Sequence, residues 1–159
     1  VSSDFYNTSI LPHLGILIKL CRAYTNSQED FEDYFQEVCL QIWRSKTSFK
    51  EQCKWSTWVY RVALNVCLTL VKKKRPKLMY SDKSLPQVEA SEDQNTFSDR
   101  ALNQLYEAIK KLSEIDRAII TLYLEEKPYK EIAIIIGTNP NNIGVRVNRI
   151  KDRLKKLLT

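Results

Sequence analysis

Between Asn141 and Lys151 five polar side chains stand out, two carboxamides and three cations: Asn141, Asn142, Arg146, Arg149 and Lys151. Carboxamide and guanidinium groups offer the donors and acceptors that read base edges, and arginine and lysine also hold phosphates. The chemistry is recognition of a polyanion, not bond-making. Something must hold these side chains outward. The preceding stretch, Tyr129–Ile136, is apolar enough for a short packed helix, and Gly137 supplies a left-handed stop. After a short turn a second helix is expected over Asn141–Leu158. Ile132, Ala133 and Ile136 hold the first helix down, and small Ala133 permits a close crossing. Ile143, Val147, Ile150 and Leu154 anchor the second. That is the layout of a helix-turn-helix, which sets one helix across another so that its polar face can enter a major groove. An ordinary helical hairpin with a soluble face is the plainer alternative, and the glycine turn with its adjoining bases argues against it.

Two further segments carry chemistry. In Phe49–Val66, aromatics alternate with Lys, Arg, Ser, Thr and Asn. That mixture suits single-stranded nucleic acid, whose bases stack on rings while cations hold the backbone. Trp55, Trp58 and Tyr60 could instead be core, and for Trp58 the core reading is the better one, because it falls on an apolar stripe. In Phe31–Trp43, Glu32, Asp33, Gln36 and Glu37 form an acidic-amide side that fits a basic protein partner better than DNA. On these residues alone a solvated helix face explains them as well or better.

Catalytic groupings are missing. The sequence has no glycine-rich phosphate loop, no Ser/His or Cys/His pair with a third partner, and no framed carboxylate pair, so enzyme activity of its own is not expected. Cys21, Cys39, Cys53 and Cys67 lie far apart and His13 is the single histidine, so neither a metal site nor a cofactor is expected and the thiols read as reduced. The apolar run Ile10–Leu20 is broken by Pro12, His13 and Lys19, which argues against a membrane span or signal peptide and for a cytoplasmic protein.

The net charge of +6 matters less than its distribution. Residues 29–37 carry five acids and no base, whereas residues 44–77 carry ten bases against Glu51. Residues 146–156 carry six bases against Asp152. Two separated basic patches fit two contacts with a polyanion.

An all-α fold is expected: two small helical domains joined by a flexible linker, the second containing the helix-turn-helix. Phe31, Tyr34, Phe35, Val38 and Ile42 form one helical stripe, and Trp58, Val59, Val62, Ala63, Val66 and Leu70 form another. Ser45–Thr57 reads as a loop with a short helix. Lys72, Lys73, Lys74 and Arg75 ahead of Pro76 suit a helix end. The first domain is thus placed at residues 1–76, a linker at 77–99 and the second domain at 100–159. Stretched out, residues 78–98 would span about 70 Å, and as a loose coil roughly 25 Å. In the second domain Leu102, Leu105, Ile109 and Leu112 mark one helix. Ser113 looks like the N-cap of the next, which packs through Ile115, Ala118, Ile119 and Leu122. Pro128 suits the first turn of the helix after that.

Taken in order, EDFEDYFQEVCLQIWRS, STWVYRVALNVCLTLVKKKRP and LSEIDRAIITLYLEEKPYKEIAIIIGTNPNNIGVRVNRIKDRLKKLL resemble the three working segments of a bacterial RNA polymerase sigma factor of the extracytoplasmic-function type, in the sigma-70 family. The resemblance implies a transcription initiation factor that binds core RNA polymerase and promoter DNA, with all chemistry left to the polymerase. By position it implies that Asp33, Gln36, Glu37 and Leu40 face the polymerase. The loop Lys50–Ser56, with Lys50, Lys54, Trp55 and Ser56, would capture a flipped base of the −10 element. Tyr60, Arg61 and Asn65 would support the melted strand, and Lys72 and Lys73, within Lys72–Arg75, would hold backbone. Asn141, Asn142, Arg146, Arg149 and Lys151 would approach the −35 element. An anti-sigma factor, often membrane-bound in this family, is an implied partner. Departures from the usual pattern are Gly144, where a lysine is common, Val145 in place of a frequent serine, and Thr69 in place of a common aspartate. A helix-turn-helix repressor or activator with a helical sensor is the alternative, and an interaction module for acidic partners a third. Neither needs the Phe31–Trp43 and Phe49–Val66 segments.

Overall fold

The computed structural model describes residues 2–74 and 100–159. The expected linker, with Arg75 and Pro76, lies outside the described residues. Among those residues every regular element is helical. Ser2 caps a short helix, α1 (Ser3–Phe5), its Oγ accepting from the Phe5 N–H at 3.2 Å. The chain continues through a π-helical turn, Tyr6–Ile10, and a 3-10 turn, Leu11–His13, into α2 (Leu14–Ala23). Ser27 caps α3 (Gln28–Ser45), accepting from the Asp30 N–H at 3.1 Å, and Glu29 and Asp30 in the first turn suit the positive end of the helix. A 3-10 turn, Lys46–Ser48, leads to α4 (Trp55–Lys74), whose last turn carries Lys72, Lys73 and Lys74.

The second half begins with α5 (Arg100–Ile109). Ser113 caps α6 (Glu114–Leu124) as expected, accepting from the Asp116 N–H at 3.2 Å. Pro128 lies one place earlier than anticipated, at the cap of α7 (Tyr129–Ile136). Its extended ψ of 152° turns its carbonyl toward the helix, where it accepts from Glu131 at 2.9 Å and Ile132 at 3.0 Å. Gly137 ends α7 at φ +92°, and the N–H groups of Gly137 and Thr138 both donate to the Ala133 carbonyl, at 2.8 and 2.9 Å. Only glycine adopts that φ without a Cβ penalty. Asn139 then caps α8 (Pro140–Leu158), accepting from the Asn142 N–H at 2.8 Å, with Pro140 at the first helical position. The helix-turn-helix is therefore α7, a left-handed glycine and α8.

The core of the first half is Leu17, Leu20 and Cys21 of α2, Tyr34, Val38 and Ile42 of α3, and Val59, Ala63 and Val66 of α4. Phe31 and Phe35 stack at 6.0 Å on its edge. The core of the second half is Ile109, Ala118, Ile119, Leu122, Ile132 and Ala133 with Ile143, Val147, Ile150 and Leu154. Leu102 stays outside it, 42% exposed. The helix α4 also buries a second stripe, Thr57, Tyr60, Leu64 and Cys67, because it is covered on more than one side. On one it meets α3, and on others α2 and α7.

The halves pack together: α2 lies against α5 and α6, and α4 against α7. Across this seam Arg117 of α6 donates to Ala23 O at 3.3 Å and lies 5.5 Å over the Tyr24 ring, braced in its own half by Lys110 O at 2.8 Å and Leu112 O at 3.3 Å. Tyr24 donates its hydroxyl to the Glu114 carbonyl. Lys19 pairs with Glu125 at 2.7 Å, and Arg22 lies 4.6 Å over the Tyr106 ring. A partly buried charged pair with a matched donor and acceptor orients such a seam more than it stabilises it.

Candidate nucleic-acid interface

The exposed side of α8 carries Asn141, Asn142, Val145 and Arg149, and Arg146 lies half-buried beside them. Together with Ile136, Thr138 and Asn139 they line an open groove along the turn and the start of the helix. Four of the five residues expected on this surface thus share one groove, and Thr138, Asn139 and Val145 join them. Lys151 is set apart on a flank. Its Nζ is 4.9 Å from the centre of the Tyr123 ring, and hydrogen bonding to the Tyr123 hydroxyl raises its pKa. On the same flank Tyr129 lies across Gly144, where a Cβ would stand 3.3 Å from its ring. The space a lysine would need at this position is occupied by that ring. On the opposite flank Arg146 Nε approaches Asp116 Oδ1 at 3.7 Å.

In the first half, Arg61, Asn65, Thr69, Lys72 and Lys73 are all exposed and form one strip along α4. Lys50 and Lys54 are exposed in the segment leading into it, and Ser56 is half-buried. Trp55 belongs to an aromatic cluster: its ring centre is 5.0 Å from Trp58, 5.2 Å from Phe49 and 6.1 Å from Phe5, and its Nε1 donates to Ser9 O at 2.9 Å. Tyr60 points the other way. It is 3% exposed, edge-on to His13 at 6.0 Å, with Lys127, in the turn before α7, at 5.4 Å over its ring. Burial pushes its hydroxyl up to about 12, with Glu131 and Glu125 adding to the effect. Burial, with Lys127 nearby, lowers the His13 pKa.

On α3, Asp33 and Gln36 are exposed, and Glu37 and Leu40 are partly so. Asp33 and Glu37 face a shallow groove shared with Leu70 and Lys73 of α4, and Lys74 pairs with Asp30 at 3.0 Å across it. The acidic residues expected to meet a protein and the lysines expected to meet DNA therefore border the same groove. The alternation of charge along each helix gave no sign of that juxtaposition. Among the described residues no group of His, Cys, Asp and Glu could hold a metal ion; burial raises the Cys39 thiol to about 11, and a hydrogen bond with Cys21, together with burial, raises that of Cys67.

An exposed polar helix behind a glycine turn, joined to a helical unit with a basic strip and an aromatic cluster, defines a two-part helix-turn-helix protein. The Sigma-70 region 2 profile matches residues 10–77, and the profile Sigma-70, region 4 matches residues 102–154. The chain belongs to the sigma-70 family, in its extracytoplasmic-function group. It is 30% identical over 80 residues to the ECF RNA polymerase sigma factor SigG of Mycobacterium tuberculosis, a match covering 50% of this chain and 22% of that protein. It is 32% identical over 60 residues to the ECF RNA polymerase sigma factor SigW of Bacillus subtilis, covering 38% of this chain and 32% of that protein. The matched stretches thus span a third or less of these relatives. Two solved structures share the fold. One is the sigma factor RpoE in complex with the anti-sigma factor NepR from Bartonella quintana, with TM-score 0.72 and 20% identity over 99% of this chain and 98% of that one. The other is CnrH in complex with the cytosolic domain of CnrY, with TM-score 0.73 and 17% identity over 99% and 89%. Among the described residues no helix is long and apolar enough to cross a membrane.

Proposed function

We propose that this chain is a transcription initiation factor that binds core RNA polymerase in the cytoplasm and directs it to particular promoters. The observation that carries this reading is the pairing, in one sigma-70 chain, of two exposed polar-basic strips: Arg61, Asn65, Lys72 and Lys73 on α4, and Asn141, Asn142 and Arg149 with Arg146 on α8. In this reading α8 reads the −35 element as a duplex, with Lys151 on its flank. The α4 strip, with Lys50, Lys54, Trp55 and Ser56 ahead of it, opens and reads the −10 element. Asp33, Gln36, Glu37 and Leu40 dock on the polymerase, which performs all the chemistry. Tyr60 reaches a melted strand only after α7 has moved off it, so initiation includes a parting of the two halves. An anti-sigma factor is the expected regulator, in keeping with the complexes in which the structural relatives were solved.

Run-off transcription with core polymerase, the chain and a promoter library tests this. The expected result is transcript starts at a defined promoter class only when the chain is present. Unchanged start sites, or no assembly with core polymerase, would sink it.

A further inference from the structure

Asp116 occupies the first turn of α6, where its own N–H is taken by Ser113 Oγ at 3.2 Å. Its side chain is 26% exposed, but one carboxylate oxygen is turned inward. Oδ1 is buried and, among the described residues, has no hydrogen-bond donor. Leaving a buried acceptor unmet is costly, so its surroundings call for a reason. An acid in a first turn is favourable to any helix, but that benefit is available with the carboxylate in water and does not explain why it is aimed across at α8. What it faces there is Arg146 Nε, at 3.7 Å.

The geometry points to Asp116 as a positioning residue for base reading by Arg146. This rests on α8 being the duplex-reading helix. A guanidinium presents its donors in a fixed plane. With the Nε edge turned to Asp116, the two terminal amines are left as an end-on fork, the arrangement that meets O6 and N7 of a guanine. Arg146 lines the same groove as Asn142 and Arg149, so the fork opens onto the surface where base edges would lie. Asp116 itself stays clear of DNA, where its charge would repel phosphate. It narrows the directions that a long, flexible side chain can take. Pre-ordering of that kind lowers the cost of binding for the one base whose edge fits the ordered fork, and so widens the difference between that base and the others.

The test uses holoenzyme assembled from core polymerase and the full chain, with duplexes randomised across the −35 element and sequenced after selection. Wild type, Asp116→Ala, Asp116→Asn, Asp116→Glu, Arg146→Ala and the Asp116→Ala/Arg146→Ala double variant are compared. Asp116→Ala is expected to flatten the preference at one base pair by about fivefold or more, the same base pair that Arg146→Ala flattens. The double variant should be no flatter than Arg146→Ala, and Asp116→Glu should restore part of the preference. Asp116→Asn keeps the shape without the charge and should behave like Asp116→Ala. It also reads the charge alone if the alanine variant proves unstable by thermal melting. Unchanged preferences in the asparagine variant, or changes at base pairs that Arg146 does not read, would overturn the assignment. So would tighter binding with intact preference, which would make Asp116 a competitor of DNA for Arg146. If wild type shows a −35 preference that Arg146→Ala leaves intact, the positioning role fails while the helix assignment stands. If wild type shows no −35 preference, the reading of α8 fails first and takes the positioning role with it.

Discussion

Thr57 of α4 donates its hydroxyl to Glu131 Oε2 of α7 at 3.1 Å, in a seam where the two residues are only 2% and 9% exposed. The same oxygen lies 3.9 Å from Lys127 Nζ. Glu131→Ala should cost about 1–3 kcal/mol, because the Thr57 hydroxyl is left sealed without an acceptor. Adding Thr57→Val should recover part of that loss, since removing both polar partners can be nearly neutral. Urea denaturation of the two singles and the double gives the coupling directly. A strictly additive double variant would show that the contact has no energetic weight.

The same seam sets a second expectation. If it covers the face of α4 that meets opened DNA, weakening it should help that DNA. Glu131→Lys places a cation beside Lys127 and should part α7 from α4. Binding of a single-stranded −10 oligonucleotide to the protein without polymerase should then rise severalfold, an order of effect in keeping with a loss of about 1–2 kcal/mol of closure. Fluorescence anisotropy reads it, and equal or weaker binding would count against a covered face.

Alkaline pH should loosen the fold over a definite window. Burial holds the hydroxyls of Tyr34 and Tyr60 up to about 12, against an ordinary value of 10.0. Between those values the unfolded chain has released these protons and the folded chain has not, so stability falls as pH rises from 10 toward 12 and is intact below 10. Denaturation midpoints across that range should drop, and Tyr60→Phe should make the drop shallower. If Tyr34→Phe or Tyr60→Phe removed part of the phenolate absorbance that the folded protein shows at pH 10, the burial of that ring would be contradicted.

Gly144 and Tyr129 make a clean cycle. Gly144→Ala should gain about 1 kcal/mol of helix propensity when Tyr129 is also alanine. With Tyr129 present the gain should shrink, because the new Cβ would stand 3.3 Å from the ring. Thermal melts of the four variants test this. An equal gain in both backgrounds would mean that the ring yields without cost.

The docking assignment on α3 has its own test. Gln36→Ala with Glu37→Lys changes side chains at the surface, so the fold should move by no more than about 0.5 kcal/mol. Association with core polymerase should weaken by about tenfold, which corresponds to about 1.4 kcal/mol. Normal assembly of this variant would rule out the acidic side of α3 as the contact.

Most of the architecture could be read from apolar spacing. Val38 and Ile42, and Ile143, Val147, Ile150 and Leu154, recur at the helical period and are buried where that period puts them. Gly137 and Ser113 carry local backbone requirements, so their roles as stop and cap were visible one residue at a time. The second stripe of α4 was hidden because Thr57 and Tyr60 are polar-ended and Cys67 was read only as one of four scattered thiols. A search for one apolar face finds the α3 side and stops. Nothing in the sequence marks Glu131 or Asp116, since what matters about them is a partner on another helix. Leu102 shows the reverse error: it has the right spacing on a helix whose outer edge is not covered.

Arg117 joins the halves through Ala23 O and through the Tyr24 ring, 5.5 Å from its guanidinium, while Lys110 O and Leu112 O brace it within its own half. The three oxygens are present whatever side chains stand there, provided the backbone keeps its path. The ring is the one partner in this clasp that a substitution can remove. Statistical coupling between aligned positions would therefore register the clasp at residue 24 and pass over the three residues whose carbonyls do most of the holding.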